Sequence, residues 1–410
     1  MRTILVLAAL LAAGSAQAEP DEAALGKAQG YPVGTIPTWM QPTYRVGSWS
    51  ALDQVPGVRV SRVPSSTAVR PLSKMASPPE FRYSYRNLGY TLQEYLNRQR
   101  TTGLLILKDG QIVAEHYRYD RKPDARFLSW SMSKSVVSLL VGAAVARGAI
   151  ASLDDPAEKY AKALSGTPYG STSIRHLLRM SSGLTFSERY DGSDDVIRMG
   201  RAFATSPQGA MEVLRTINNR HSAPGEKFVY ASGETEVVGY VLRGATGKSL
   251  AELTREWLWD PIGAEHEAFW RVGADGQEGA FAFFNASLRD WGRLGAMVAN
   301  DGRVGDREVI PRDYLLAATD VGQQPPAFRP GRATPHLGYG YFFWLLPLKE
   351  RTFVMQGIHG QHLFVQPSSG IVMVVTSAWD QPSGSQDAGP WRETEALWRG
   401  VLASLGGKPD

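Results

Sequence analysis

The 410-residue sequence contains no cysteine. Disulfides, thiolate zinc sites, iron–sulfur clusters and a cysteine nucleophile are therefore excluded, and any chemistry must rest on other side chains. Charge of one sign is scarce as well. Lys and Arg number 44 against 40 Asp and Glu, a formal net charge of +4 spread over the chain. No dense basic run with interleaved aromatics occurs, so nucleic acid is not an expected partner. Past the N-terminus there is no stretch of eighteen apolar residues, and no membrane anchor is expected. What is present is 43% hydrophobic and 20% charged residues. That is the composition of a globular chain with a sizeable core, not of a fibre, a coiled coil or a disordered polymer.

The first eighteen residues have the pattern of a cleavable export signal: Arg2, then the apolar run Ile4 to Ala13, then Ala16-Gln17-Ala18 before a cut ahead of Glu19. A periplasmic or secreted location follows as the expectation, and a chain without thiols suits an oxidising compartment. Residues 19–85 are rich in Pro, Gly, Ser and Thr. They read as an irregular arm wrapped on the main body, because Trp39, Tyr44 and Trp49 are too apolar for a free tail. The remainder, 86–405, reads as one domain.

Within it, Gly103 to Leu107 and Ile112 to Ala114 flank Asp109-Gly110, a hairpin pattern. Thr91 to Arg100 reads as a short helix. Ser131 to Arg147 is apolar on nearly every face and reads as a buried helix ended by Gly148. Ser287 to Asn300 is an amphipathic helix. Strands are expected at Tyr339–Leu346, Thr352–Gln356, His362–Gln366 and Ile371–Ser377. The fold expected is α/β: a sheet built from both chain ends (about 86–130 and 285–405), with a helical region (about 131–284) inserted between them.

The local sequence that points to chemistry is Ser131-Met132-Ser133-Lys134. Three apart on a helix, Ser131 and Lys134 share a face with Cβ atoms about 5–6 Å apart. An alcohol needs a base beside it to become a nucleophile. A lysine can serve when burial disfavours its ammonium form. The helix N-terminus adds free N–H groups suited to a developing oxyanion. A lysine opening an otherwise apolar helix needs a reason, and this is one; a Lys that snorkels outward from a capped helix is the plainer alternative.

Further segments extend the pattern. The chain carries Leu177-Leu178-Arg179-Met180-Ser181-Ser182-Gly183-Leu184, then Pro224-Gly225-Glu226-Lys227-Phe228-Val229-Tyr230-Ala231-Ser232, then Ser287-Leu288-Arg289-Asp290 and Gly357-Ile358-His359-Gly360-Gln361. Together with Ser-x-x-Lys, in this order, they resemble the serine β-lactamase and penicillin-binding-protein superfamily, in its class C, esterase and 6-aminohexanoate-oligomer hydrolase branch. The resemblance implies a β-lactamase/transpeptidase-like fold with an antiparallel sheet flanked by helices. It also implies an acyl-enzyme on Ser131, with Lys134 and Tyr230 as general base and acid. The backbone N–H groups of Ser131 and Ile358 would hold the oxyanion. Tyr190, Ser232, Asn285 and His359 are the residues it suggests around the substrate, a small ester or amide; no cofactor and no metal are implied. Members that bind β-lactams carry Lys-Thr-Gly or His-x-Gly on the strand edging the site. Here no Lys-Thr-Gly exists, which favours esters or linear amides over β-lactams. A D-amino-acid peptidase, a weak β-lactamase and a catalytically silent wall-fragment binding protein are the other readings. The oligomeric state is left open.

Other motifs fall away. His359 and His362 stand three apart, on opposite faces of an extended strand. No Gly-x-Ser-x-Gly elbow and no Gly-rich phosphate loop after a strand occur.

Overall fold

The computed structural model of the chain describes residues 19–382 and 388–410; the expected export signal at 1–18 lies outside the described residues. A seven-stranded antiparallel sheet forms the frame. Its order is 338–339, 344–345, 353–357, 361–366, 371–377, 101–108 and 111–117. Thr101–Lys108 from the early part of the chain pairs with Ile371–Ser377 from the late part, so both chain ends build one sheet, as expected. The hairpin closes through Asp109 and Gly110, both at positive φ, the two-residue turn whose twist matches the flanking strands.

Side-chain alternation decides which layer each strand residue joins. Leu105, Leu107, Leu363, Val365, Val372 and Val374 enter the larger core. Leu104, Ile106, Phe364, Met373 and Val375 enter a second core with Leu397, Trp398 and Val401 of the Gly389–Ser404 helix. On the first face lies the Leu288–Ala299 helix, where a side chain at Gly292 would meet Leu105 and one at Gly295 would meet Val372. Its N-cap Ser287 accepts from the Asp290 N–H. The helix expected from Ser131 runs over Met132–Ala146 with Ser131 as N-cap, and every residue from Met132 to Ala144 is buried. It lies between the sheet and the Ser232–Thr246 helix. No helix among the described residues is long and apolar enough to cross a membrane.

Three features differ from the sequence reading. A second, four-stranded antiparallel sheet exists, ordered Arg59–Val63, Ala268–Val272, Phe284–Ala286, Phe127–Leu128. The 19–85 arm is accordingly not irregular throughout. It contributes the Pro42–Ser48 helix, the edge strand of this sheet, and Trp49, Leu52 and Val63 to the core. The region 131–284 is likewise not purely helical, since Ala268–Val272 lies within it. Finally, the strand expected over Tyr339–Leu346 is two short strands, Gly338–Tyr339 and Trp344–Leu345. The chain reverses between them because Phe342 takes positive φ and its N–H is claimed by the Leu178 carbonyl.

Candidate active site

Ser131 is placed where the small sheet hands over to the buried helix. Phe127–Leu128 ends that sheet's edge, and Trp130 then turns the chain at φ 47°. A non-glycine residue in this region is strained, and such strain persists only where packing over-determines it. Trp130 is held by a stacked Trp39 at 5.6 Å and an edge-on Trp49 at 5.5 Å. Although Ser131 is the N-cap, its hydroxyl makes no capping bond.

The hydroxyl instead accepts from Lys134, whose Nζ lies 2.8 Å from Oγ and donates also to the Phe281 carbonyl at 2.6 Å. Lys134 is 1% exposed. Burial pulls its pKa down to about 8, and Glu188 and Glu236 oppose that shift. Roughly a tenth of this lysine is therefore a free amine at pH 7, able to take a proton, against almost none for an exposed lysine.

Tyr230 stands over the pair, with its ring centroid 5.3 Å from Lys134 Nζ. Burial, and next the negative charge of Glu188, keep its phenol protonated, while the Ser131 hydroxyl works the other way. The residue is fixed from three sides. Trp344 stacks on it at 5.4 Å, Tyr339 meets it edge-on at 6.2 Å, and the neighbouring Val229 N–H bonds the Met180 carbonyl at 2.9 Å. The approach needs Gly225 at φ 87°, in a turn packed against the His176 ring.

The sequence reading missed Glu188, which ties the other groups together. Its carboxylate accepts the Ser232 N–H at 2.6 Å, the Ser232 hydroxyl at 2.8 Å and the Tyr190 hydroxyl at 2.7 Å. The loop that carries it is pinned by Asp194, which accepts the Arg189 and Tyr190 N–H groups, and by Asp195, which accepts the Ser187 N–H and hydroxyl. Ser232 and Tyr190 are thus near the pair, but their hydroxyls are engaged with Glu188. Only Tyr190, two positions further on, could have drawn attention to it.

Opposite Lys134, the strand Phe353–Gly357 ends against the Ser131 backbone. A side chain at Gly357 would stand 2.3 Å from the Ser129 carbonyl and 3.1 Å from the Ser131 nitrogen. Only glycine permits this approach. The N–H groups of Ser131 and of Ile358 make no hydrogen bond among the described residues, and Gly357, next to Ile358, abuts the Ser131 backbone.

Two expected substrate-facing residues are placed otherwise. Asn285 is 0% exposed within the small sheet, and its side-chain amide bonds the Phe283 carbonyl at 3.0 Å. His359 is buried. Its Nδ1 faces the Trp379 carbonyl at 2.9 Å, its ring packs on Trp49 and Trp130, and burial lowers its pKa to about 4. At φ 59° the backbone directs this ring into the core. The sequence position alone could not reveal either orientation. His362 packs against Phe364, Trp379 and Trp391 in the second core, separate from His359.

An antiparallel sheet flanked by helices, with a Ser–Lys pair at the mouth of a buried helix, defines the β-lactamase/transpeptidase class of fold. A solved structure named "Putative 6-aminohexanoate-dimer hydrolase from Bacillus anthracis" superposes with a TM-score of 0.79 at 21% identity, covering 91% of this chain and 97% of that one. The beta-lactamase family model matches residues 91–397, and the chain belongs to that family as a hydrolase of the β-lactamase-like kind. It is similar to the 6-aminohexanoate-dimer hydrolase of Paenarthrobacter ureafaciens, 26% identical over 87% of this chain and 91% of that protein. It is also similar to a D-aminopeptidase of Brucella anthropi, 26% identical over 38% of this chain and 30% of that protein.

Proposed function

We propose that the chain is an exported serine hydrolase that cleaves linear amides or esters through an acyl-enzyme on Ser131. The observation that carries this reading is the buried Lys134 amine 2.8 Å from the Ser131 hydroxyl. Lys134, with Tyr230 beside it, takes the hydroxyl proton as Oγ attacks the carbonyl carbon. The N–H groups of Ser131 and Ile358 hold the resulting oxyanion. The C–N or C–O bond then breaks, and the proton passes to the leaving amine or alcohol. Water repeats the sequence on the ester of Ser131, releasing the acid and restoring the hydroxyl. None of these steps calls on a cofactor.

Linear substrates are favoured over β-lactams because the strand end at Gly357-Ile358-His359-Gly360 carries no Lys-Thr-Gly, and the His359 ring is turned into the core. The similarity to a 6-aminohexanoate-dimer hydrolase over most of both chains supports a linear amide. Similarity to a D-aminopeptidase keeps D-amino-acid amides as the second candidate.

Incubation with p-nitrophenyl acetate, a linear 6-aminohexanoate dimer, a D-alanine amide and nitrocefin tests this. Turnover of the ester or an amide, lost in Ser131→Ala, is expected, with little nitrocefin cleavage. Rapid nitrocefin cleavage moves the assignment to a β-lactamase, and no turnover at all favours a binding protein. Export is tested by N-terminal sequencing of the protein from its native cells, which should begin at Glu19.

A further inference from the structure

Near the Ser131–Lys134 pair lies a buried guanidinium with no counter-charge among the described residues. Arg118, Arg271 and Arg293 are the three buried arginines among the described residues. Arg118 has Glu19 at 3.6 Å, and Arg293 has Asp290 at 2.9 Å and Glu265 at 3.0 Å. Arg271, 9% exposed, has no carboxylate partner and no side-chain hydrogen bond among the described residues. It is surrounded by rings: Phe283 at 5.0 Å, Phe203 at 5.7 Å and Trp39 at 5.9 Å from the guanidinium carbon.

A guanidinium stays charged at any ordinary pH, so burial without a counter-charge is a standing cost. Attraction to ring faces offsets it only in part. Arg118, Arg126, Arg179 and Arg243 each contain a nitrogen sealed from solvent and without a partner, whereas no nitrogen of Arg271 is sealed. An incoming acceptor can therefore reach it.

Its position relates it to the reaction. Phe283 lies 6.4 Å from the Trp130 ring, and Trp39 stacks on that same ring at 5.6 Å. Trp130 precedes the nucleophile. Phe281, whose carbonyl holds Lys134, is 5.2 Å from Phe283. A line of aromatic rings thus leads from the Ser131–Lys134 pair to Arg271. Rings of this kind offer apolar contact to a methylene chain, and the guanidinium beside them is a planar two-pronged donor that matches a carboxylate.

Resting on the serine-hydrolase reading above, we propose that Arg271 receives a carboxylate at the far end of the substrate, several bonds from the scissile carbonyl, and so selects acid-terminated chains.

The test uses matched pairs that differ only in carboxylate against carboxamide. Mono-p-nitrophenyl adipate and its amide place the group on the acyl side; 6-acetamidohexanoate and its amide place it on the leaving side. In at least one series the acid is expected to be favoured by thirtyfold or more in kcat/KM, mainly through KM. In Arg271→Met that ratio should fall to within threefold of unity, with Arg271→Lys between. A role in packing alone would leave the ratio unchanged. Equal use of acid and amide by the wild type in both series, or a ratio that survives in Arg271→Met, overturns the proposal. Calorimetric binding of the same 6-acetamidohexanoate pair and of adipate against adipamide to Ser131→Ala gives the ratio without turnover. If catalysis is absent while the binding preference holds and depends on Arg271, the hydrolase reading falls and the carboxylate site stands. Equal binding within both pairs removes the site.

Discussion

Lys134 Nζ is held between two oxygens, the Ser131 hydroxyl at 2.8 Å and the Phe281 carbonyl at 2.6 Å, at the dry N-terminal end of a buried helix. The carbonyl fixes where the amine points, so its lone pair or its proton is presented to one hydroxyl.

The pH dependence of turnover follows from this burial. With a pKa of about 8, Lys134 is protonated below that value and cannot act as base. The rate at low substrate should rise close to tenfold per pH unit below pH 8 and level off above it. Lys134→Arg, always charged, should lose at least 10³-fold in kcat. A flat profile between pH 6 and 9 would show that another group is the base.

The same residue costs stability. The folded pKa lies below the unfolded value of about 10.4, so between pH 8 and pH 10.4 the unfolded chain binds more protons and stability rises with pH. Below pH 8 the full penalty is present, about 3 kcal/mol. Lys134→Met should therefore be inactive yet melt a few degrees higher at pH 7. Its advantage should shrink towards pH 10.

Glu188 should set the pH at which the enzyme switches on. Its negative charge raises the Lys134 pKa. Glu188→Gln keeps one oxygen to accept from the Ser232 and Tyr190 hydroxyls, gives up the acceptor of the Ser232 N–H and removes the charge, so the rising limb of the profile should move to lower pH. Glu188→Ala loses the three hydrogen bonds as well and should lower kcat about tenfold or more. If Glu188→Gln leaves the profile in place, the carboxylate acts only as a structural tie.

Gly357 offers a test of the oxyanion donors. The Cβ of Gly357→Ala would press on the Ser129 carbonyl and displace the strand from Ser131. A loss of about 10²–10³ in kcat is expected, of the size seen when one such donor is removed. KM should change far less. A variant within threefold of wild-type kcat would remove Ile358 from the reaction.

Legibility from sequence followed the range of the interactions. The Asp109-Gly110 hairpin, the Met132–Ala146 helix and the Ile371–Ser377 strand are written in local periodicity and turn chemistry. The Ser131–Lys134 contact follows from helical spacing alone. What was hidden depends on distant partners. Arg59–Val63 becomes a strand only by pairing with Ala268–Val272, and a run rich in Arg and Val carries no period that announces this. Glu188 gained its importance from Ser232, 44 positions later, and looked like an ordinary loop carboxylate. Asn285 and His359 belong to recognisable segments, yet which way each side chain turned was decided by packing, not by spacing.

The most direct measurement is the intact mass of the protein after exposure to a fluorophosphonate, with the modified peptide mapped. One adduct per chain on Ser131 is expected, forming more slowly as pH falls below 8 and absent from Ser131→Ala. Labelling on another residue, or equal labelling of Ser131→Ala, would contradict the account.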